Sequence, residues 1–180
     1  EWFRKEGFET HVAASDDTGG AAIPFCDVFH PVPFDRKPFS PRNLHAYQCL
    51  KRVIENDHFD VIHCHTPVGG VLTRLAARKS RKKGTKVIYT AHGFAFYKGA
   101  PLWHTIFKPV EKFCARFTDI IITINGEDTQ YARKSFRSAH TEYIPGVGVD
   151  LREYASNPSC RKQTRASLGL AENDFMILCV

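Results

Sequence analysis

The chain lacks any unbroken apolar segment long enough to cross a bilayer, so the sequence predicts no membrane-spanning helix. Its first residues also lack the charged start and apolar stretch of a signal peptide, and we expect none. With 180 residues, 43% of them hydrophobic, and a mean hydropathy of −0.30, the composition is typical of a globular domain with a sizeable core.

A paired cysteine motif is also absent. The six cysteines have irregular spacings, and no CxxC occurs among them. In a chain of this length, that pattern favours neither a disulfide framework nor a zinc site. We interpret the cysteines as buried, reduced thiols, and we expect a cytoplasmic protein.

Acidic residues are the minority charge, since 25 lysines and arginines against 19 aspartates and glutamates give a net charge of +6. A helix dipole is sufficient to explain any one cation at a helix end, but the overall balance favours an anionic partner, either a lipid surface or a pyrophosphate-linked substrate. The basic residues concentrate at one predicted helix end and the strand after it: Arg74, Arg78, Lys79, Arg81, Lys82, Lys83 and Lys86.

Short apolar runs alternate with segments of helical periodicity along most of the chain. Strands are predicted at residues 8–14, 26–32, 59–64, 86–91 and 119–124, with a last short strand ending at Ile144, and helices at 41–54, 68–83, 103–117 and 127–136. This alternation predicts an α/β fold, a Rossmann-like parallel sheet with helices on both faces. Ligands of such sheets lie beyond the carboxyl ends of the strands.

Two of these helices show apolar faces in the sequence. Ser40 is expected to cap the helix predicted at 41–54, and the helix predicted at 103–117 is expected to bend at Pro109. The predicted faces comprise Leu44, Tyr47, Leu50, Val53 and Ile54 in the first helix, and Trp103, Ile106, Phe107, Val110, Phe113, Cys114 and Phe117 in the second.

The end of the third predicted strand carries His63 and His65, which strand alternation places on one face. Two histidines at this spacing can bind a metal ion, so a metal hydrolase remains an alternative, although no third ligand follows nearby. Pro67 opens the next helix, where Gly69 and Gly70 leave backbone N–H groups accessible to an anion. A tight turn that needs glycine for packing explains those glycines equally well, whereas we favour a functional role for His65.

His92 and Gly93 follow the fourth predicted strand. A histidine at this edge can donate a hydrogen bond to a sugar hydroxyl or a phosphate oxygen, or act as an acid or base near neutral pH. The aromatic faces that follow can stack on a sugar ring or contact a lipid, although a hydrophobic cover over the core explains them equally well. These aromatic residues are Phe94, Phe96, Tyr97, Trp103 and His104.

Two further segments follow strand ends. Asn125 is suited to cap a helix whose first turn holds Glu127 and Asp128, and a contact to the ligand is an additional possibility. Gly146 and Gly148 follow the last strand, where glycine permits unusual backbone angles and a close approach to a ligand.

Four segments, in order, resemble the N-terminal domain of family 4 glycosyltransferases. Their sequences are DVIHCHTP at 60–67, YTAHGF at 89–94, DIIITIN at 119–125 and IPGVGVD at 144–150. Residues 96–101, FYKGAP, are similar to the group that builds bacterial exopolysaccharide or lipid-linked oligosaccharide. One departure is Ala95, which stands where we expect another histidine in the nearest relatives.

The resemblance implies one domain of a GT-B fold, cut at both ends. Residues 1–150 would form the acceptor-side Rossmann-like domain without its first strand. Residues 151–180 would form the linker and the start of the nucleotide-sugar-binding domain, including a strand at 175–180. The rest of that second domain would be missing, so we expect the fragment to be inactive alone.

The implied activity is a retaining transfer of a sugar from a nucleotide-sugar to a glycan or polyprenyl-diphosphate-linked acceptor in bacterial surface polysaccharide synthesis. No metal or other cofactor is expected, and contact with the inner face of the membrane is possible. A sugar-nucleotide 2-epimerase of the same fold and a non-catalytic phosphate- or nucleic-acid-binding module remain alternatives. We expect His92 to be catalytic, and His65, Thr66, Gly69, Gly70, Gly93, Phe94, Asn125, Gly146 and Gly148 to bind substrate.

Overall fold

A computed structural model describes residues 2–16, 23–136, 140–146, 148, 151–152 and 155–177. The chain divides into two compact units, Glu1–Gly146 and Val147–Val180. Most of the predicted loop at 16–22 lies outside the described residues, as do Val147, Val149 and Asp150 of the segment at 144–150.

The described part of the first unit contains six strands, and all of their pairings are parallel. They are β1 (His11–Ala14), β2 (Val28–Pro31), β3 (Val61–His65), β4 (Lys86–Ala91), β5 (Ile120–Thr123) and β6 (His140–Tyr143). Strands β1 and β2 form one ladder, and β3 to β6 form a second ladder in sequence order. Every residue of β5 is buried or half-buried, as expected for a parallel strand covered on both faces.

Helices connect these strands and flank the sheets. They are α1 (Trp2–Lys5), α2 (Arg42–Asp57), α3 (Pro67–Ala76), α4 (Arg78–Lys82), α5 (Phe107–Cys114) and α6 (Gly126–Ser135), with α7 (Pro158–Ser167) in the second unit. Parallel strands flanked by helices confirm the predicted α/β, Rossmann-like class. The predicted helix at 68–83 is two helices, α3 and α4, with a turn at Ala77. None of the described helices is long and apolar enough to span a membrane.

The start of α2 differs from the prediction. Pro41, in place of Ser40, occupies the cap position, without a side-chain capping bond. The Lys37 N–H, at 2.9 Å, and secondarily the Ser40 hydroxyl lower the pKa of the Asp35 carboxyl. On the buried face, Asn43 takes the place expected for Leu44, which is 66% exposed. Asn43 is buried because its side chain accepts from Asp35 N–H at 2.9 Å and donates to the Lys37 carbonyl at 2.9 Å.

The segment before β5 also differs from the prediction. A 3₁₀ turn (Leu102–Ile106) leads into α5, and a second (Ala115–Phe117) follows it. Pro109 lies in the first turn of α5, where a missing N–H breaks no helical bond, so no bend is required. The residues of α5 that are buried are Glu111 and Cys114.

The basic residues that the sequence concentrates at one helix end differ in burial and in their ion-pair partners. Arg74 is fully buried and its Nη2 lies 2.9 Å from Oε2 of Glu111. Arg81 forms two 3.0 Å contacts with the carboxylate of Asp119, while Lys79 lies 3.5 Å from Glu55. Arg74 therefore belongs to the core and contributes nothing to an anion-binding surface.

The second unit holds α7, whose first turn is capped by the Asn157 side chain, which accepts from the Ser159 and Cys160 N–H groups at 3.0 and 3.1 Å. The predicted strand at 175–180 is not formed in its described part, because residues 175–177 pair with no strand among the described residues. Residues 178–180 lie outside that part.

Candidate functional site

Three histidines form a row where β3 and β4 end side by side. Pairing of His65 with Thr90 aligns the two strand ends, and His92 follows directly. Nδ1 of His65 lies 3.1 Å from Nε2 of His92, and Nε2 of His63 lies 2.8 Å from the Thr90 hydroxyl. The His63 and His65 rings are 4.3 Å apart, and the His65 and His92 rings 5.4 Å. The structure therefore joins His65 with His92, and adds His63 as their neighbour.

The surroundings of His63 and His65 favour neutral imidazoles. Partial burial is the main cause that lowers the pKa of His63, and repulsion from His65 and His92 adds to it. Partial burial, followed by repulsion from His92, lowers the pKa of His65. A neutral imidazole carries one N–H donor and one acceptor nitrogen, so the row can relay hydrogen bonds from the strand to a ligand.

The turn between β3 and α3 is strained. Thr66 has φ +63° and ψ 152°, in a region that β-branched residues rarely adopt. Among the described residues, no side chain caps the first turn of α3. Backbone N–H groups at a helix start attract anionic oxygens, so this turn can hold a phosphate or carboxylate beside His65.

The two glycines of α3 differ in their surroundings. A Cβ added to Gly69 would lie 2.9 Å from the Thr66 hydroxyl oxygen, so Gly69 fits tightly within the strained turn. Gly70 is buried, and an added Cβ would lie 2.5 Å from Cε2 of Tyr89. Packing therefore explains Gly70, the alternative that the sequence left open.

Gly93 and Phe94 continue the chain beyond His92, where Gly93 has φ +154°. Phe94 was predicted to contact substrate, but it lies in the core at 4% exposure and stacks on Phe96 at 5.0 Å. Its ring also contacts Tyr131 and Phe136 edge-on. Phe94 consequently anchors the loop after β4 and does not present its ring to a ligand.

Asn125 and Asp128 connect that loop to the start of α6. The Asn125 side chain accepts from Asp128 N–H at 2.8 Å, which confirms the predicted cap, and also donates to Oδ2 of Asp128 at 2.8 Å. Oδ2 of Asp128 accepts the Phe94 N–H at 3.0 Å, and Oε1 of Glu127 accepts the Lys98 N–H at 2.9 Å.

The sequence predicted Glu127 and Asp128 as first-turn residues of a capped helix, with contact to a ligand as an additional possibility. The sequence did not reveal that both carboxylates accept backbone N–H groups of the loop that follows His92. The signal was present in the order of the strands, because a helix start after β5 must lie beside the loop after the neighbouring β4.

An open pocket of about 240 Å³ lies between this loop and α6. Nζ of Lys108 lies 5.7 Å from the Phe96 ring and 6.0 Å from the Tyr131 ring. The aromatic faces can stack on a sugar ring, and the lysines at their rim can attract an anionic group on that sugar. The pocket is lined by Phe96, Tyr97, Lys98, Lys108, Glu127, Asp128 and Tyr131.

The remaining predicted residues are two glycines after β6. Gly146 has φ +73°, a conformation suited to glycine, and is half-buried at the end of the first unit. Gly148 is exposed and belongs to the second unit.

For a metal centre at His63 and His65, the described residues supply no third ligand. Within the described ranges, the histidine, cysteine and carboxylate groups that converge in threes are His11, His30 and Asp57, which lie on other elements.

Comparison with known proteins places the chain in a family. The model of Glycosyltransferase Family 4 matches residues 1–153. The chain is 44% identical over 182 residues to a Bacillus subtilis (strain 168) protein that bears the name "Putative glycosyltransferase EpsD", with 99% of this chain and 47% of that protein covered. It is 30% identical over 145 residues to the UDP-Gal:alpha-D-GlcNAc-diphosphoundecaprenol alpha-1,3-galactosyltransferase of Escherichia coli, with 77% and 36% covered.

The chain thus spans less than half the length of each of these two relatives. Since the family model covers most of its residues, the chain belongs to Glycosyltransferase Family 4.

Proposed function

We propose that this chain is the acceptor-side part of a retaining glycosyltransferase that takes a sugar from a nucleotide-sugar. The acceptor would be a glycan or a polyprenyl-diphosphate-linked sugar in bacterial surface polysaccharide synthesis. The observation that carries the proposal is the 3.1 Å contact between His65 and His92 at the carboxyl edge of β3 and β4. Family membership and the name of the Escherichia coli relative support the substrate class.

In this proposal His92 contacts the reacting sugar, and His65 orients the His92 ring. The hydrogen bond between Nδ1 of His65 and Nε2 of His92 leaves Nδ1 of His92 as the nitrogen that faces the ligand. A neutral imidazole held in one tautomer can hydrogen-bond a sugar hydroxyl without adding charge. His92 is therefore the catalytic residue that we assign, and no metal or other cofactor is invoked.

The acceptor would be held by two features beside the histidines. The uncapped first turn of α3 at Thr66 offers backbone N–H groups to an anionic oxygen. Lys98 and Lys108, on the rim of the aromatic pocket, supply positive charge for a diphosphate. Phe96 and Tyr97 provide ring faces for the attached sugar.

The deciding experiment assays the full-length parent protein against a panel of nucleotide-sugars, with an undecaprenyl-diphosphate-linked sugar as acceptor. We expect one donor to be consumed and His92→Ala to lose most of that turnover, because the residue contacts the reacting sugar. His140→Gln, an exposed histidine on β6, is the matched control and should retain activity. Absence of donor binding and turnover across the panel would contradict the proposal.

The anomeric outcome and the fragment's inactivity are separate parts of the proposal. Product analysis by NMR should show that the transferred sugar keeps the anomeric configuration of the donor. The isolated 180-residue chain should not turn over any nucleotide-sugar. Inversion at the anomeric carbon would contradict the retaining mechanism, and turnover by the isolated chain would contradict inactivity.

We further propose peripheral contact with an anionic membrane, through the exposed side of α5 and the turn before it. Trp103 is 65% exposed and Ile106 53% exposed, while Val110 and Phe113 continue the same side at helical spacing. Lys112 and Arg116, both exposed, add positive charge to the same segment. Apolar insertion flanked by lysine and arginine is the arrangement that binds anionic lipid surfaces.

Vesicle co-sedimentation of the full-length protein tests this contact. Binding should be stronger to phosphatidylglycerol vesicles than to phosphatidylcholine vesicles, and Trp103→Ser combined with Ile106→Ser should weaken it several-fold. Leu168→Ser, an exposed apolar residue in the second unit, is the control. Equal binding by both variants would count against α5 as the contact surface.

A further inference from the structure

A second cluster of histidines lies on elements that hold none of the candidate-site residues. His11 lies on β1, His30 on β2, and Asp57 is the last residue of α2. Nδ1 of His11 is 2.9 Å from Nε2 of His30, which is 3.8 Å from Oδ2 of Asp57. One ligand atom from each of the three residues lies within 4.8 Å of the others.

We propose that His11, His30 and Asp57 form a binding site for a divalent transition-metal ion of the zinc type. Two imidazole nitrogens and one carboxylate oxygen are a donor set that such ions prefer. The site is distinct from the proposed sugar-transfer site and does not depend on it.

The observed distances suit such an ion. Two ligands that each lie about 2.1 Å from a tetrahedral ion stand roughly 3.4 Å apart. The distances of 2.9 Å and 3.8 Å in the cluster lie on either side of that value. Small side-chain rotations would therefore be sufficient, since Asp57 is exposed at the end of its helix and is free to adjust.

The surroundings of the cluster favour a bound cation. Nε2 of His11 lies 3.2 Å from Oε1 of Glu9, so a carboxylate can orient the histidine from behind, as is usual for metal-bound imidazoles. The Phe59 ring packs edge-on against His11 at 5.0 Å and restricts its rotation. The carboxyl end of α2, which has no basic residue in its last turn, adds the negative end of a helix dipole.

Metal binding would replace the hydrogen bond between the two imidazoles. In their short contact one nitrogen carries the proton and the other accepts it. The Glu9 carboxylate 3.2 Å from Nε2 of His11 favours the tautomer with its proton on Nε2, in which Nδ1 of His11 is the acceptor and Nε2 of His30 holds the shared proton. The ion takes that proton's place, and His30 shifts its proton to Nδ1, so neutral histidines bind the metal without net proton release.

A bound ion would tie β1, β2 and the end of α2 together. Because the unfolded chain does not hold these three side chains in place, binding would stabilise the folded state. The site should therefore be detectable both by metal binding and by a rise in the unfolding temperature.

The test titrates ZnCl₂ into the purified chain at pH 7.5 by calorimetry, and follows CoCl₂ by the visible absorption of tetrahedral cobalt. We expect Asp57→Asn and His30→Gln each to weaken zinc binding at least tenfold and to abolish the cobalt spectrum. Zinc should raise the unfolding temperature of the unchanged chain and not that of Asp57→Asn. Since Asp57 is exposed, that variant keeps the test decisive even if His30→Gln fails to fold.

Two controls separate this cluster from other histidines. His58→Asn removes the imidazole next to Asp57, at a position with φ +47° that asparagine tolerates, and should leave zinc affinity unchanged. His92→Gln should likewise leave it unchanged. Loss of zinc binding in His92→Gln but not in Asp57→Asn would overturn the proposal, as would the absence of zinc and cobalt binding in the unchanged chain.

Discussion

Gly70 lies against the ring of Tyr89 so closely that an added methyl group would stand 2.5 Å from Cε2. One turn further along α3, the guanidinium of Arg74 covers the same ring at 4.0 Å from its centroid. Tyr89 is only 2% exposed, so the ring has little room to move. The approach of α3 to β4 thus requires glycine at this position.

Gly70→Ala should therefore destabilise the chain by about 1–3 kcal/mol, the usual cost of overpacking a core. Gly126→Ala is the matched control, because its added Cβ would meet nothing within 4 Å at the start of α6. Urea unfolding monitored by circular dichroism measures both variants. Equal stability of the two variants would show that the Tyr89 ring moves to accommodate the methyl group.

Asp119 should make the free energy of unfolding depend on pH. Burial alone would raise its pKa, but the Arg81 guanidinium and the Val87 N–H, at 2.8 Å, outweigh burial and hold the pKa below its ordinary 3.8. Because the folded pKa is lowered, its contribution is present above pH 3.8 and is lost as pH falls below that value. Asp119→Asn should cost about 1–2 kcal/mol at pH 7.

The measurement compares unfolding of the unchanged chain and Asp119→Asn at pH 7 and near pH 3. The difference between them should shrink in acid. Asp60→Asn, at the matching position before β3 and exposed, should change stability little at either pH. A difference of constant size across the pH range would show that the carboxylate's charge is not the cause.

The pKa values of His63 and His65 should depend on His92. Burial is the main cause that lowers both values, and electrostatic repulsion from His92 adds to it. Replacing His92 by neutral glutamine removes that repulsion, so both pKa values should rise, while burial still keeps them below 6.5. Histidine ring NMR resonances followed from pH 4 to 8 give the values directly. Unchanged pKa values of His63 and His65 in His92→Gln would show that His92 does not affect them electrostatically.

Asp128 should control the loop that follows His92. Its Oδ2 accepts the Phe94 N–H at 3.0 Å, so Asp128→Ala should speed exchange of the Phe94 amide by roughly tenfold or more. Glu127→Ala is the paired control and should instead speed exchange of the Lys98 amide. Amide hydrogen exchange by NMR resolves the two. Parallel acceleration of both amides in either variant would indicate general loosening of α6.

Much of the local structure was predictable because its causes are local. The predicted strand at 86–91 coincides with β4, and Asn125 caps α6 as expected. Gly84, with φ +116°, ends the helical segment before β4, since few other residues adopt that conformation. Hydrophobic periodicity and capping chemistry act over a few residues, so a single sequence contains them.

Burial was less predictable, because it depends on partners distant in the sequence. Glu111 is buried in α5 since it pairs with Arg74, whereas Trp103 and Ile106 are exposed despite their apolar side chains. Likewise, Asn43 displaces Leu44 from the buried face of α2 because it bonds a neighbouring loop. Composition of a helix face alone carries no information about such pairings.

The sequence by itself determined the α/β alternation along the chain and the placement of His65 and His92 at strand ends. Only the tertiary structure decided that these two histidines touch, that Gly70 serves packing, and that His11, His30 and Asp57 converge. The physical reason is strand register: parallel pairing joins residues many positions apart, and that register is set by the packed core as a whole.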